Sequence, residues 1–279
     1  MLRTIRDGRY QAAMVVYPRF RLAWMMFLAG IPIRIGSGFR FYSFLFTHRV
    51  FEHRKDARRH ELEYNLQLLN PLGIEPPLRG RVPGFGISVD TAADAVVAEW
   101  LSQHGIEAGR PFVILHPGSG KSAREWPLES FGELGKRIAG ETGYPVVITG
   151  SAAEKGIAAK LADLAGRGAV DCSGVFSLKE LIGLLARASL WVGHSTGPLH
   201  LCVALGTPVV GIYPQLVPMS AARWGPYSAR SRVVQPDRPA DCRKCDGAAG
   251  GSCACMESIS VDEVARVVRQ MLDRKEARE

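Results

Sequence analysis

At 279 residues, with 47% hydrophobic and 22% charged side chains, the chain can bury one large core or two modest ones, which excludes global disorder. The apolar run at 22–33 is about half the roughly 20 residues that span a bilayer, and Gly30 and Pro32 interrupt it, which excludes a transmembrane helix there. The net charge of +8 is unevenly placed: residues 1–60 hold eleven Arg and one Lys against three acids, a net +9, and the rest is close to neutral. A basic first segment fits anionic lipid head groups or phosphorylated glycans as well as a solvated Arg-rich surface; with no nucleic-acid module recognisable, no nucleic-acid partner is expected. Met1 opens no charged-then-apolar segment ending in a cleavage site, so the cytoplasm is the expected compartment.

In chain order, residues 2–10 read as the tail of a helix, 12–17 as a buried strand, 22–30 as a helix and 33–35 as a short strand, a βαβ order that implies parallel pairing. Residues 56–69 place Leu62, Leu66 and Leu69 on one helical face, and Gly73 with Pro76-Pro77 closes the element. The Pro/Gly-rich PPLRGRVPGFG follows as a connector, and 91–104 forms another helix. The second half alternates more regularly. Strands are expected at 112–118, 145–150, 169–172, 190–193 and 208–214, separated by helices at 128–143, near 153–166, at 177–188 and 197–206, with a last helix at 261–272. This is a doubly wound α/β domain over residues 106–279, preceded by an incomplete Rossmann-like domain with linker over 1–105. Ligands of such sheets lie beyond the carboxyl ends of the strands, which here carry HPGSGKS, TGSAAEK, GHSTG and YPQ.

Two of these ends resemble catalytic motifs. Gly193-His194-Ser195-Thr196-Gly197 matches the G-x-S-x-G nucleophile elbow, but the only histidine after Ser195 is His200, about one helical turn along the same element, so a Ser-acid-His order cannot form; a rearranged triad through His116 is the remaining hydrolase reading. HPGSGKS ends like a P-loop, yet the glycine required five positions before Gly120 is Leu115, and Trp126-Pro127 intervenes before the helix. What survives is physical. Ser195 or Thr196 can cap the helix after strand 190–193, Gly197 admits a ligand to the backbone, Pro198 suits a first turn, and His200 lies on that same turn. The opposing loop offers Ser119 and Gly120 for close approach and Lys121 and Arg124 for charge, so the pair suits a diphosphate.

HPGSGKSAREWP, TGSAAEK and SLKELIGLLARASLWVGHSTGPLHLCVALGTPVVGIYP together resemble the donor-nucleotide domain of glycosyltransferase family 9, the ADP-heptose:lipopolysaccharide heptosyltransferases and relatives of GT-B fold. FLAGIPIRIG and RHELEYNLQLLNPLGI resemble the end of that family's first domain. The resemblance implies an inverting, metal-independent transfer from an ADP-sugar to lipopolysaccharide core, with no cofactor required. It places Ser119 and Gly120 against the diphosphate, and Arg124 where the family usually has Lys. It sets Glu154 near the nucleoside and Thr196, Gly197 and His200 on the phosphates. Ser195 stands where the family commonly has Asp. Nothing before Ala12 resembles the family's opening strand and Gly-rich loop, which bears the candidate general base; at least one βα unit is therefore expected to lie outside this chain. The alternative is a catalytically impaired nucleotide-sugar-binding remnant. Arg19, Arg21, Arg34, Arg40 and Arg49 would line the acceptor side, where phosphorylated core at the cytoplasmic face of the anionic inner membrane fits the +9 segment.

Cys242, Cys245, Cys253 and Cys255 form C-x2-C-x7-C-x-C, whose four thiolates could close a tetrahedral structural zinc site. The second pair is tighter than zinc ribbons use, so a Cys-rich loop of reduced thiols is the competing reading. Cys172 and Cys202 sit in apolar contexts and are expected in the core.

Overall fold

The computed structural model describes residues 1–75, 84–237 and 253–276, with side chains up to 273. The chain divides into two compact units, Met1–Arg81 and Val82–Glu279. In the first, α1 (Leu2–Asp7), β1 (Ala12–Met14), α2 (Phe20–Leu28), β2 (Ile33–Ser37), β3 (His48–Val50) and α3 (Glu61–Leu66) surround a parallel sheet of order β1-β2-β3, with Ala12 opposite Ile33 and Ile35 opposite His48. The βαβ order is as the sequence implies. β1 is shorter and more exposed than expected: it is an edge strand whose inner-face neighbours stop at Met14, and Pro18 lies close behind. β3 escaped the sequence reading, because His-Arg-Val offers one apolar residue and no period. In α3 and the 3-10 turn Gln67–Leu72, the buried side chains are Tyr64 and Leu68, four apart, rather than the expected leucines 62, 66 and 69, which are only half-buried. A small core of Val15, Ala23, Tyr42, Leu45 and Phe46 holds this unit together. Phe46 lies flat over Gly36, where an added Cβ would meet its ring at 2.3 Å, so glycine is required for that packing.

The second unit runs α4 (Thr91–Gln103), β4 (Val113–His116), α5 (Leu128–Thr142), β5 (Val146–Ile148), α6 (Lys155–Ala165), β6 (Ala169–Asp171), α7 (Leu178–Arg187), β7 (Leu190–His194), α8 (Gly197–Leu205), β8 (Val209–Ile212), α9 (Ala221–Trp224), β9 (Ser231–Val234), α10 (Ala254–Glu257) and α11 (Val261–Glu276). Its six parallel strands lie in the order β6-β5-β4-β7-β8-β9, the 3-2-1-4-5-6 arrangement of a doubly wound nucleotide-binding sheet. β9 extends the sheet beyond the sequence reading; four residues bounded by polar turns carry too little pattern to announce a strand.

Period-2 alternation divides the core between the two faces. Val113, Leu115, Val192 and Ile212 pack with Phe131, Leu134, Leu161 and Val268 of α5, α6 and α11 on one side. Ile114, Val147, Trp191 and Val209 pack with Val97, Leu101, Leu184 and Leu199 of α4, α7 and α8 on the other. α4 thus belongs to the second unit, where Arg187 binds Asp94 through Nε and Nη2 at 2.7 and 2.8 Å. Cys172 and Cys202 are buried in this core as expected.

Candidate donor site at the strand switch

In a 3-2-1-4-5-6 sheet the chain winds outward in both directions from the central pair, and the two loops leaving that pair diverge to open a crevice. The central pair is β4 and β7, with His116 opposite Gly193, so the loops that follow them, 117–127 and 195–196, border one cleft. These are two of the loops selected from the sequence.

The first loop is built from its own side chains. Ser119 Oγ donates to Glu125 Oε1 at 2.6 Å and accepts the Lys121 N–H at 3.2 Å, while the Ser122 hydroxyl donates to the Ser119 carbonyl at 2.6 Å. Ser119 therefore shapes the loop, and its hydroxyl is engaged within it. Gly120 and Lys121 both adopt left-handed backbone (φ 53 and 65), which turns the loop tip outward. Gly120 N–H donates to Glu154 Oε1 at 3.3 Å, and the other carboxylate oxygen accepts the Ser151 N–H and hydroxyl at 2.8 and 2.7 Å. Burial would raise the Glu154 carboxyl, but hydrogen bonds from Ser151, nearby His116 and the Gly120 N–H outweigh it and hold the group below the usual range. Gly118 makes this possible, since a Cβ there would lie 2.1 Å from Glu154 Oε1.

The second loop leads straight into α8. Thr196 occupies the N-cap position in extended backbone, yet its side chain makes no capping bond, contrary to the simplest sequence reading, and Oγ1 is buried without a partner. A Cβ on Gly197 would meet nothing within 4 Å, so the first turn of α8 faces open space. His200 is half-buried one turn along, its N–H directed at the Thr196 carbonyl at 3.4 Å.

Unsatisfied polar atoms mark the cleft. Among the described residues seven buried side-chain N or O atoms have no hydrogen-bond partner, and four of them belong to Arg124 (Nε and Nη2), His194 (Nδ1) and Thr196 (Oγ1). Such atoms are rare in native interiors, and each costs about 1–3 kcal/mol when left unpaired, more when charged. Arg124 is only 5% exposed and is the most costly of them. Arg124, the Thr196 hydroxyl and the N–H groups at the positive end of α8 are donors of the kind that an anion would satisfy.

Two buried imidazoles frame it. His116 Nδ1 is 2.9 Å from Thr149 Oγ1, and burial, against a smaller opposing effect of Glu154, pushes its pKa down to about 4. Burial, reinforced by His116, pushes His194 down to about 3. A buried base whose folded pKa lies below its unfolded value near 6.5 contributes stability that is complete above about pH 6.5 and is lost as pH falls toward 4. We expect a cost of about 2 kcal/mol per ring by pH 5. Tm should drop between pH 7 and 5, before carboxylates titrate, and His116→Gln should remove about half of the drop; a flat profile over that range would show that the rings are not buried as described.

The same geometry answers the elbow motif. Ser195 is absent from the positive-φ residues, so the strained nucleophile conformation is not adopted, and its side chain is instead a hydrogen-bond partner of the Tyr213 phenol. His116 is spent on Thr149. A fluorophosphonate probe should leave Ser195 unlabelled; an adduct found there by mass spectrometry would restore the hydrolase reading. The P-loop reading fails too, because α5 begins only at Leu128, well after Lys121 and Ser122.

The family model for glycosyltransferase family 9 (heptosyltransferase) matches residues 1–249. The chain belongs to glycosyltransferase family 9. Lipopolysaccharide heptosyltransferase 2 of Escherichia coli is 28% identical over 238 residues, which cover 83% of this chain and 67% of that protein. Among solved structures, E. coli ADP-heptose LPS heptosyltransferase II matches with a TM-score of 0.77 at 23% identity, over 99% of this chain and 80% of that one. A family 9 glycosyl transferase from Veillonella parvula matches with a TM-score of 0.80 at 19% identity, over 98% and 78%. The fold of this family 9 member is accordingly of GT-B type, with one small and one large parallel sheet.

In the first unit, a cavity of about 350 Å³ opens beyond the carboxyl ends of β1, β2 and β3, lined among others by Ser37, Arg40, Glu52, His53 and Lys55. Of the five arginines singled out from the sequence, Arg40 lines it. Arg34 is committed to the fold, donating to the Leu45 carbonyl at 2.8 Å and to that of Ile31, and Arg19 donates to the Tyr17 hydroxyl. Cys242 and Cys245 lie outside the described residues. Cys253 and Cys255 bring their Sγ atoms to 3.0 Å, and among the described residues no group of three or more His, Cys, Asp or Glu is placed to hold a metal. No helix among them is long and apolar enough to cross a membrane.

Proposed function

We propose that this family 9 member transfers a heptose or related sugar from an ADP-sugar to lipopolysaccharide core, inverting the anomeric centre and needing no metal ion. The observation that carries the reading is the buried Arg124 guanidinium in the loop after β4, whose Nε and Nη2 have no partner, across the strand switch from the open N-terminus of α8. A nucleoside diphosphate supplies the anionic oxygens those donors lack. The match to proteins whose names specify ADP-heptose and lipopolysaccharide supports the sugar and the acceptor.

The acceptor hydroxyl oxygen attacks the anomeric carbon from the face opposite the diphosphate. The new C–O bond forms as the bond to the β-phosphate oxygen breaks, its electron pair leaves with ADP, and the hydroxyl proton goes to the general base, a carboxylate that the resemblance places outside these residues. One displacement inverts the centre. ADP gains a negative charge as it departs, and Arg124, Lys121, the Thr196 hydroxyl and the α8 N-H groups near Gly197 are the donors that meet it; no divalent cation is then needed. Gly120 gives the loop its close approach, Ser119 holds its shape, and Glu154 stands at its edge where the nucleoside enters. Ser195, held by the Tyr213 phenol, shapes the second loop, and His200 reaches the donor from the first turn of α8. The division of labour follows the resemblance: the first unit stands on the acceptor side and the second, which includes α4, on the donor side, with Arg40 and Lys55 of the first unit's cavity facing phosphorylated core. The excess positive charge of residues 1–60, beside exposed aromatics such as Tyr17, Phe41 and Phe44, suits the cytoplasmic face of an anionic membrane.

Incubation with ADP-heptose and heptose-deficient lipopolysaccharide core, followed by mass spectrometry of the glycan and analysis of the new linkage, tests the reading. A mass increase of one heptose with inverted configuration, undiminished by EDTA, is expected. Donor binding without transfer would favour the binding-remnant reading, and transfer abolished by EDTA would overturn metal independence.

A further inference from the structure

His194 ends β7 with no solvent exposure. Its Nε2 accepts the Trp126 backbone N–H at 2.7 Å, across 68 residues of sequence, so the neutral ring carries its proton on Nδ1. Nδ1 makes no hydrogen bond of good geometry, and the Pro117 carbonyl is the acceptor closest to its proton. The Phe131 ring meets the imidazole edge-on at 5.3 Å. Trp126 is held a second time by its indole N–H, which donates to the Ile259 carbonyl at 2.9 Å.

Trp126 closes the β4–α5 loop, and Arg124 precedes it by two residues. The backbone N–H at that point is buried and needs an acceptor. A strand neighbour cannot supply one, because β4 and β7 have already diverged there. The acceptor therefore comes from a side chain, and it comes from the last residue of the strand that leads into α8.

Resting on the donor-site reading above, we infer that His194 is a positioning residue for glycosyl transfer: by accepting the Trp126 N–H it ties the loop bearing Arg124 to the end of β7, and so fixes the two diphosphate loops relative to each other. It touches no substrate in this role. The bond is a tie between the two strands flanking the switch point, at the place where their own pairing ends. Imidazole fits the task because its ring reaches the loop with a single rigid acceptor and packs its edge against Phe131.

The test uses the full chain with His194→Gln, which keeps an acceptor at the position of Nε2, and His194→Asn, which is too short to reach Trp126. Calorimetry with ADP should show about tenfold weaker binding for His194→Asn and a loss within about threefold for His194→Gln, the difference of one hydrogen bond. Hydrogen exchange should show the Trp126 amide deprotected in the Asn variant and protected in the Gln variant. In an Arg124→Met background, His194→Asn should cost less than about twofold, since it acts through the same loop. Full multiplicative losses in that background, or wild-type ADP affinity in a His194→Asn protein with a deprotected Trp126 amide, would overturn positioning. Unchanged protection in the Asn variant would overturn the tie itself, whatever the nucleotide does. Failure of the wild-type chain to bind ADP would instead refute the donor reading.

Discussion

Arg124→Met should weaken ADP binding by about 2 kcal/mol, roughly 30-fold, while leaving the unliganded protein as stable as before or more so. The two signs have one cause. In the free chain the guanidinium is 5% exposed with Nε and Nη2 unpartnered, so its burial is uncompensated until an anion arrives. Methionine fills a similar volume without charge, and replacing a buried unpaired ion in this way is neutral or stabilising by about 1 kcal/mol or more, about 2–4 °C in Tm for a unit of this size. Calorimetry and thermal unfolding on the same preparation check it. A loss of stability in parallel with affinity would make Arg124 a structural residue, and the trade of stability for function would not hold.

Gly193→Ala should destabilise the second unit by about 2 kcal/mol, lowering Tm by roughly 4–8 °C. An added Cβ would lie 2.6 Å from the His116 carbonyl oxygen and 2.8 Å from the Trp191 ring. The first contact is backbone of the paired strand, which cannot turn away as a flexible side chain could. Strain there would propagate directly to the two strand ends that carry the donor loops, so affinity for ADP should fall as well. Differential scanning calorimetry decides the first part; a Tm within 1 °C of wild type, well below the shift expected from overpacking, would mean that the central strands yield more easily than their packing implies.

The large sheet was legible because its strands are near-continuous apolar runs bounded by glycine and proline, and because αβ alternation leaves few topologies. Both candidate donor loops follow from it, as ligands of such sheets gather at strand ends. β3 and β9 were not legible, being short and polar enough that pairing, not pattern, makes them strands. Among the proposed site residues, Arg124, Gly197 and Thr196 stand out in the sequence by type and place. What sequence could not supply was the state of their side chains: that Ser119 is engaged within its loop, that Thr196 does not cap, and that Arg34 braces two carbonyls instead of facing a ligand. His194 was visible only as one histidine among seven. Its place on the same strand face as Leu190 and Val192 signals burial, but its partner at Trp126 follows from topology alone.

The most direct measurement is a calorimetric titration of the purified chain with ADP, with UDP as comparator. Saturable binding of ADP, tighter than UDP and weakened by Arg124→Met, is the expected result and would place the nucleotide at the strand switch. Absence of ADP binding, or binding that ignores Arg124, would contradict the assignment of the β4 and β7 loops as the donor site.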